Sequence, residues 1–124
     1  MSSAVDNAVR GALALPIAGS VIRRADDTWQ ECGLPGFLVQ PLLEDEGARM
    51  RTMLMKAEPG ASADLHSHAE VEQVLLLEGH FSDGEASYSP GDFIVRAPGA
   101  PHLTTSEDGA LMLVIYTPAA GEKA

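Results

Sequence analysis

Three histidines and one glutamate, His66, His68, Glu72 and His102, stand where they could share one metal ion. Imidazole nitrogen and carboxylate oxygen together suit divalent Zn, Fe(II), Mn, Ni, Co or Cu. A thiolate site is out of reach with a single cysteine, Cys32, and calcium would ask for a larger set of oxygens. His66 and His68 are an i, i+2 pair, and on an extended strand such residues project from the same face. Glu72 follows beyond a turn around Ala69 and Glu70, so it can re-enter from a neighbouring strand. His102 arrives after the tight Pro98-Gly99-Ala100-Pro101 stretch. A His-x-His pair by itself is often an accident of a solvated strand. The scaffold around it decides between the two readings.

That scaffold reads as all-β. Twelve glycines and eight prolines punctuate short apolar stretches, the pattern of many strands joined by tight turns. Strands are expected over residues 21–24, 37–40, 50–57, 65–68, 71–77, 93–95, 102–105 and 111–116, with a hairpin over 80–88 turning at Asp83-Gly84. Strands at this spacing without crossover helices exclude a parallel α/β sheet and point to a barrel or sandwich. The 124 residues, 45% of them hydrophobic, suit one core. We expect a single β-domain over 20–117, an arm or short helix within 1–19 (a helix would run over 3–15, capped by Ser2 or Ser3), and a flexible tail over 118–124.

The formal net charge of -10 argues against nucleic acid, which needs clustered Lys and Arg, and against anionic membranes. Residues 11–22 are apolar, but Asp6 and Pro16 spoil a secretory signal, and the stretch is too short to span a bilayer. The lone Cys32, read as a small, partly buried residue, suits a reducing cytoplasm.

The glycines bring a resemblance. Gly60 to Gly79 reads G-ASADL-H-S-H-AEV-E-QVLLLE-G and is similar to the first cupin motif, G-x5-H-x-H-x3-E-x6-G, at every fixed position. Gly91 to His102, GDFIVRAPGAPH, resembles the second, G-x5-P-x-G-x2-H-x3-N. It departs at Ala97, where the motif has Pro, and at Ser106, where it has Asn; neither is a ligand position. Trp29, Gly60-Ala61, the run from Leu77 to Asp83, Tyr88, Gly91-Asp92 and Ser106 to Gly109 resemble the ChrR-type branch, which includes the C-terminal domain of ChrR-like anti-sigma factors and acetylacetone-cleaving dioxygenases.

The resemblance implies an RmlC-like jelly-roll barrel, usually homodimeric, with His66, His68, Glu72 and His102 as ligands to a divalent ion, Fe(II) or Zn foremost, and a small molecule as partner. The zinc module of the anti-sigma factors needs a His and paired Cys before the barrel, so sigma binding is not implied. Glu70 misses the motif spacing, and His80 reads as a surface residue. Arg49, Arg51 and Arg96 could turn a guanidinium inward to hold a carboxylate or enolate. Met53, Met55, Phe93 and Tyr116 are expected in the core, some of them along the pocket. Two functions then stand side by side. In an enzyme, a dioxygenase acting on a small dicarbonyl or enolisable substrate, Glu72 would ligate or take the substrate proton, with Arg51 a second catalytic candidate. In a Zn-binding sensory or ligand-binding module, a closed site would turn nothing over.

Overall fold

A computed structural model describes residues 8–9 and 11–119 of the protein, and every regular element in them is a strand. In chain order these are β1 (Ala8–Val9), β2 (Ile22–Arg23), β3 (Gln30–Glu31), β4 (Phe37–Asp45), β5 (Met50–Ala57), β6 (Ala61–His66), β7 (Val71–Gly79), β8 (Phe81–Ser82), β9 (Ser87–Tyr88), β10 (Phe93–Arg96), β11 (His102–Ser106) and β12 (Ala110–Thr117). Six strands form one sheet in the order β10-β7-β12-β5-β4-β3, and four form the other in the order β6-β11-β8-β9. Both are antiparallel throughout. Facing each other, they make the barrel or sandwich expected from the turn spacing, in the jelly-roll form that the cupin resemblance implies.

Alternation decides what lies between them. In β7 and β12 every second residue is buried, so Val74, Leu76, Met112 and Val114 point inward. They meet Phe37, Met53 and Ala57 from the same sheet and Ala61, Ala63 and Phe81 from the opposite one. Burying each large aliphatic side chain contributes about 1.5–3 kcal/mol. The inward row of β7 starts with Glu72 and that of β12 ends with Tyr116. The core therefore runs directly into polar side chains at one end of the barrel.

Two core expectations need correction, and one alternative falls away. Residues 1–19 carry no helix where they are described, which leaves the arm of the two forms expected; the cap at Ser2 or Ser3 lies outside the described residues. Ala8–Val9 pairs in parallel with Ile22–Arg23, and Leu13 bridges Leu43, donating its N–H to the Leu42 carbonyl at 2.8 Å and accepting from the Glu44 N–H at 2.8 Å. The edge of the large sheet thus satisfies backbone groups that a helix would have paired internally, and Gly11, at φ 82°, is left-handed. Phe93, expected in the core, is 57% exposed on the outer face of β10. Cys32 is likewise exposed rather than partly buried. Met53 and Tyr116 are core residues, and Met55 packs against the core.

Strand limits moved for physical reasons. β4 runs on through Pro41, because a register shift between Pro41 and Leu43 accommodates the missing N–H and Arg23 donates from Nε and Nη2 to the Pro41 carbonyl at 3.2 and 3.1 Å. Beside it, Gln40 is completely buried. Its amide donates to the Asp26 and Thr28 carbonyls at 2.9 Å each and accepts from the Asp26 N–H at 2.9 Å, so the chain over 26–28 covers that part of the sheet.

Candidate metal centre

The two histidine-bearing strands are neighbours. His66 closes β6, His102 opens β11, and the two are register partners across the four-stranded sheet. His68 lies just beyond β6, in the segment that crosses to β7. It is placed by its backbone: the Gly99 N–H donates to the His68 carbonyl at 2.7 Å. The Pro98-Gly99 turn thus holds His68 as well as delivering His102, and it closes normally with Ala97 in place of Pro, the Ala100 N–H donating to the Ala97 carbonyl at 3.1 Å. Ser106, in place of Asn, is buried and donates from Oγ to the His80 carbonyl at 2.6 Å.

One ring nitrogen from each of His66, His68 and His102 falls within 4.8 Å of the others, the compact ligand set among the described residues. Ring centroids are 4.4 Å apart for His66 and His102, 5.1 Å for His66 and His68, and 5.5 Å for His68 and His102. In His66 and His102 the same local device orients the ring. Nδ1 lies 2.8 Å from the Asp64 carbonyl and 3.2 Å from the Ala100 carbonyl, each two residues upstream. A proton on Nδ1 leaves the Nε2 lone pair facing the cluster, the arrangement that metal-binding imidazoles use. Burial holds His68 and His102 below the ordinary histidine value, so both imidazoles are neutral at pH 7. The donor chemistry fits a divalent ion of the Fe(II) or Zn kind.

Glu72 enters from the opposite sheet. Its carboxylate is 3.6 Å from His68 Nε2 and 3.7 Å from His102 Nε2. Each oxygen also accepts one hydrogen bond: Arg96 Nε donates to Oε1 at 3.0 Å, and the Tyr116 hydroxyl donates to Oε2 at 2.7 Å. Burial and the Glu72 charge push the Tyr116 hydroxyl well up, so it remains a donor. Register explains the meeting. Arg96, Glu72, Tyr116 and Arg51 are successive partners across β10, β7, β12 and β5. Arg51 stacks its guanidinium 4.4 Å from the centre of the Tyr116 ring and pairs with Glu70 at 2.9 Å. Of the three arginines, Arg96 therefore lines the cavity, Arg51 braces Tyr116 from the far side, and Arg49 sits in the turn between β4 and β5. His80 is exposed.

Asp83 is the residue the sequence reading missed, since it looked like turn chemistry alone. It accepts from the Glu85 and Ala86 N–H groups, from Tyr88, and from Arg96 Nη1 at 3.3 Å. Burial alone would raise its carboxyl, but the bonds from Tyr88, the two backbone N–H groups and Arg96 outweigh it and bring it down to about 2. A carboxylate depressed in the folded state stabilises it above the unfolded value near 3.8 and loses that contribution as pH falls towards about 2. Asp83→Asn is therefore expected to lower stability at neutral pH and to match the parent near pH 2. Urea midpoints across that range test it; a constant gap would refute the linkage.

The cavity at the cluster measures about 40 Å³ and is also lined by Val74, Phe81, Met112 and Val114. That is room for an ion and very few further atoms.

No match is found among curated proteins. Among solved structures, the acetylacetone dioxygenase of Acinetobacter johnsonii superposes with a TM-score of 0.71 at 16% identity, over 83% of this chain and 76% of that one. An RmlC-like cupin from Shewanella frigidimarina NCIMB 400 gives 0.65 at 20%, over 76% and 86%. The anti-sigma factor ChrR of Rhodobacter sphaeroides, solved with SigE, gives 0.64 at 23%, over 77% of this chain and 51% of that one. At these identities they establish the cupin fold. The sequence profile of the ChrR cupin-like domain matches residues 18–120, the span carrying both glycine-framed motifs and all three histidines. By that match the chain belongs to the ChrR cupin-like family.

Proposed function

We propose that this protein is a metal-dependent dioxygenase-like enzyme acting on a small dicarbonyl or otherwise enolisable substrate. His66, His68, Glu72 and His102 would hold a divalent ion. The observation that carries this reading is the meeting of three converging imidazoles with a carboxylate 3.6 and 3.7 Å from two of them. Three His and one Glu leave about two positions of an octahedral ion for substrate and dioxygen, and none on tetrahedral zinc. When bound, the ion supplies Lewis acidity to a chelating enolate. Glu72 would be a ligand, or could swing off to accept the proton lost from the carbon between two carbonyls. Tyr116 and Arg96 keep its carboxylate oriented, while Val74, Met112 and Val114 keep water from the inner wall. A homodimer is expected on the same family likeness.

The narrow cavity favours a second reading, a Zn-binding module without turnover. A volume of about 40 Å³ is far below the roughly 300 Å³ at which ligand pockets usually begin. Metal analysis of the purified protein, followed by oxygen uptake with a panel of diketones after Fe(II) reconstitution, separates the two. The enzyme reading expects uptake that depends on both Fe(II) and diketone. Tightly held Zn with no uptake under any reconstitution would overturn it.

A further inference from the structure

The cavity at the histidines reaches further than the cluster. It passes between the sheets along Ala63, Met55 and Met112 and ends at Leu34. Register fixes its direction. Tyr116 pairs with Arg51 and Ala110 with Ala57, at opposite ends of β5 and β12, and Phe37 also pairs with Ala57. Leu34, in the turn before Phe37, therefore stands at the end of the barrel away from Tyr116 and the histidines. Apart from Thr104, two residues on from His102, the walls beyond the cluster are apolar.

Leu34 and Phe37 also line a hollow on the outer surface, about 330 Å³ in volume, whose one charged side chain is Glu31. These two residues are the common wall of the hollow and the metal cavity. Phe37 is buried in the core, whereas Leu34 is half-buried. The backbone of the wall is fixed. Pro35 and Gly36, at φ 83°, form a turn closed by the Phe37 N–H donating to the Leu34 carbonyl at 3.0 Å. The Glu58 N–H donates to the Gly36 carbonyl at 2.8 Å, and a Cβ on Gly36 would lie 2.8 Å from Ala61 Cβ. That leaves the Leu34 side chain as the part of the wall that can turn aside.

We propose that Leu34 is a gate between the metal cavity and the outer hollow, and that the substrate is a dicarbonyl with an unbranched apolar tail that passes it. The inference rests on the dicarbonyl reading of the metal centre. About 40 Å³ holds no diketone, whereas a hollow of about 330 Å³ falls within the roughly 300–1,000 Å³ of ligand pockets. Met55 and Met112 are register partners, and such unbranched side chains rearrange around a tail. A carboxylate at the end of the tail would meet Glu31, so the tail is uncharged.

Calorimetric titration of the nickel-loaded protein without oxygen reads binding apart from turnover, with pentane-2,4-dione and nonane-2,4-dione as probes. The parent should bind the longer diketone at least roughly tenfold more tightly, since it buries four more methylenes. Leu34→Phe, which thickens the wall, should lower that ratio by about tenfold. Leu34→Ala, which thins it, should raise the ratio several-fold and serves alone if the Phe variant does not fold. Equal affinities for the two diketones in the parent, or a ratio that neither variant moves, would overturn the gate while chelation of the dicarbonyl stands. Protein that retains nickel and binds neither diketone would overturn the dicarbonyl reading and the gate with it.

Discussion

Replacing His66 or His102 by Ala should leave the protein without bound metal after dialysis, where the parent retains about one ion per chain. Each removes one of three converging nitrogens, and two imidazoles alone hold a divalent ion weakly. The two positions differ in a useful way. His102 is buried at the start of β11, whereas His66 is half-buried at the end of β6. Truncating His102 opens a cavity and is expected to cost stability as well, about 1–2 kcal/mol; truncating His66 should cost less. Metal content by elemental analysis, with unfolding midpoints alongside, separates loss of ligation from loss of fold. Full metal content in both variants would remove the histidines from the site.

The second large effect concerns the glycine that closes the first motif. Gly79 has φ 78°, and a Cβ there would lie 2.1 Å from the Gly109 carbonyl oxygen and 2.8 Å from Ala110 Cα. Those are backbone atoms of β12 and the turn before it, and the same carbonyl accepts the His80 N–H at 3.1 Å. Neither side can yield without breaking the ladder. Gly79→Ala is therefore expected to destabilise by about 3 kcal/mol or more. Gly60 opens the same motif with φ 85°, but a Cβ there meets nothing within 4 Å. Gly60→Ala should cost only the left-handed backbone penalty, about 1–2 kcal/mol. Equal losses in the two variants, measured by urea unfolding, would show that close approach is not what fixes Gly79.

The fold and the gathering of the three histidines were legible for the same reason. Glycines at Gly60, Gly79, Gly91 and Gly99 all have positive φ, so they mark turns by steric need, and the spacing between turns carries the histidines with it. The partners of Glu72 were harder to read. Hydrophobicity along β10 would turn Phe93 and Val95 inward and Arg96 outward. The register with β7, which sets Arg96 opposite Glu72, does the reverse. Period-2 reasoning fixes which residues share a face but not which face is inside, and a strand of four residues is too short to settle it by composition. Arg51, a catalytic candidate from the sequence, stands with its guanidinium 4.4 Å from the centre of the Tyr116 ring. The N-terminal segment left arm and helix open for a related reason. Its apolar residues suit a helix locally, but the edge of β4 offered pairing that no local pattern announces. Gln40, fully buried on an outer face, could not be foreseen without the residues over 26–28 that cover it.

The position of β10 has a consequence for solubility. It is the outermost strand of the large sheet, with Phe93 and Val95 bare on its outer side, and such an edge invites another chain to add a strand and begin a fibre. Natural edges discourage this by being short, by proline nearby and by an inward-pointing charge. β10 has all three: four residues, Pro90 and Pro98 at either side, and Arg96 turned into the barrel. The arginine that steadies the carboxylate at the centre is thus also a gatekeeper against self-association. Selection for a working site and selection against aggregation would act on the same side chain.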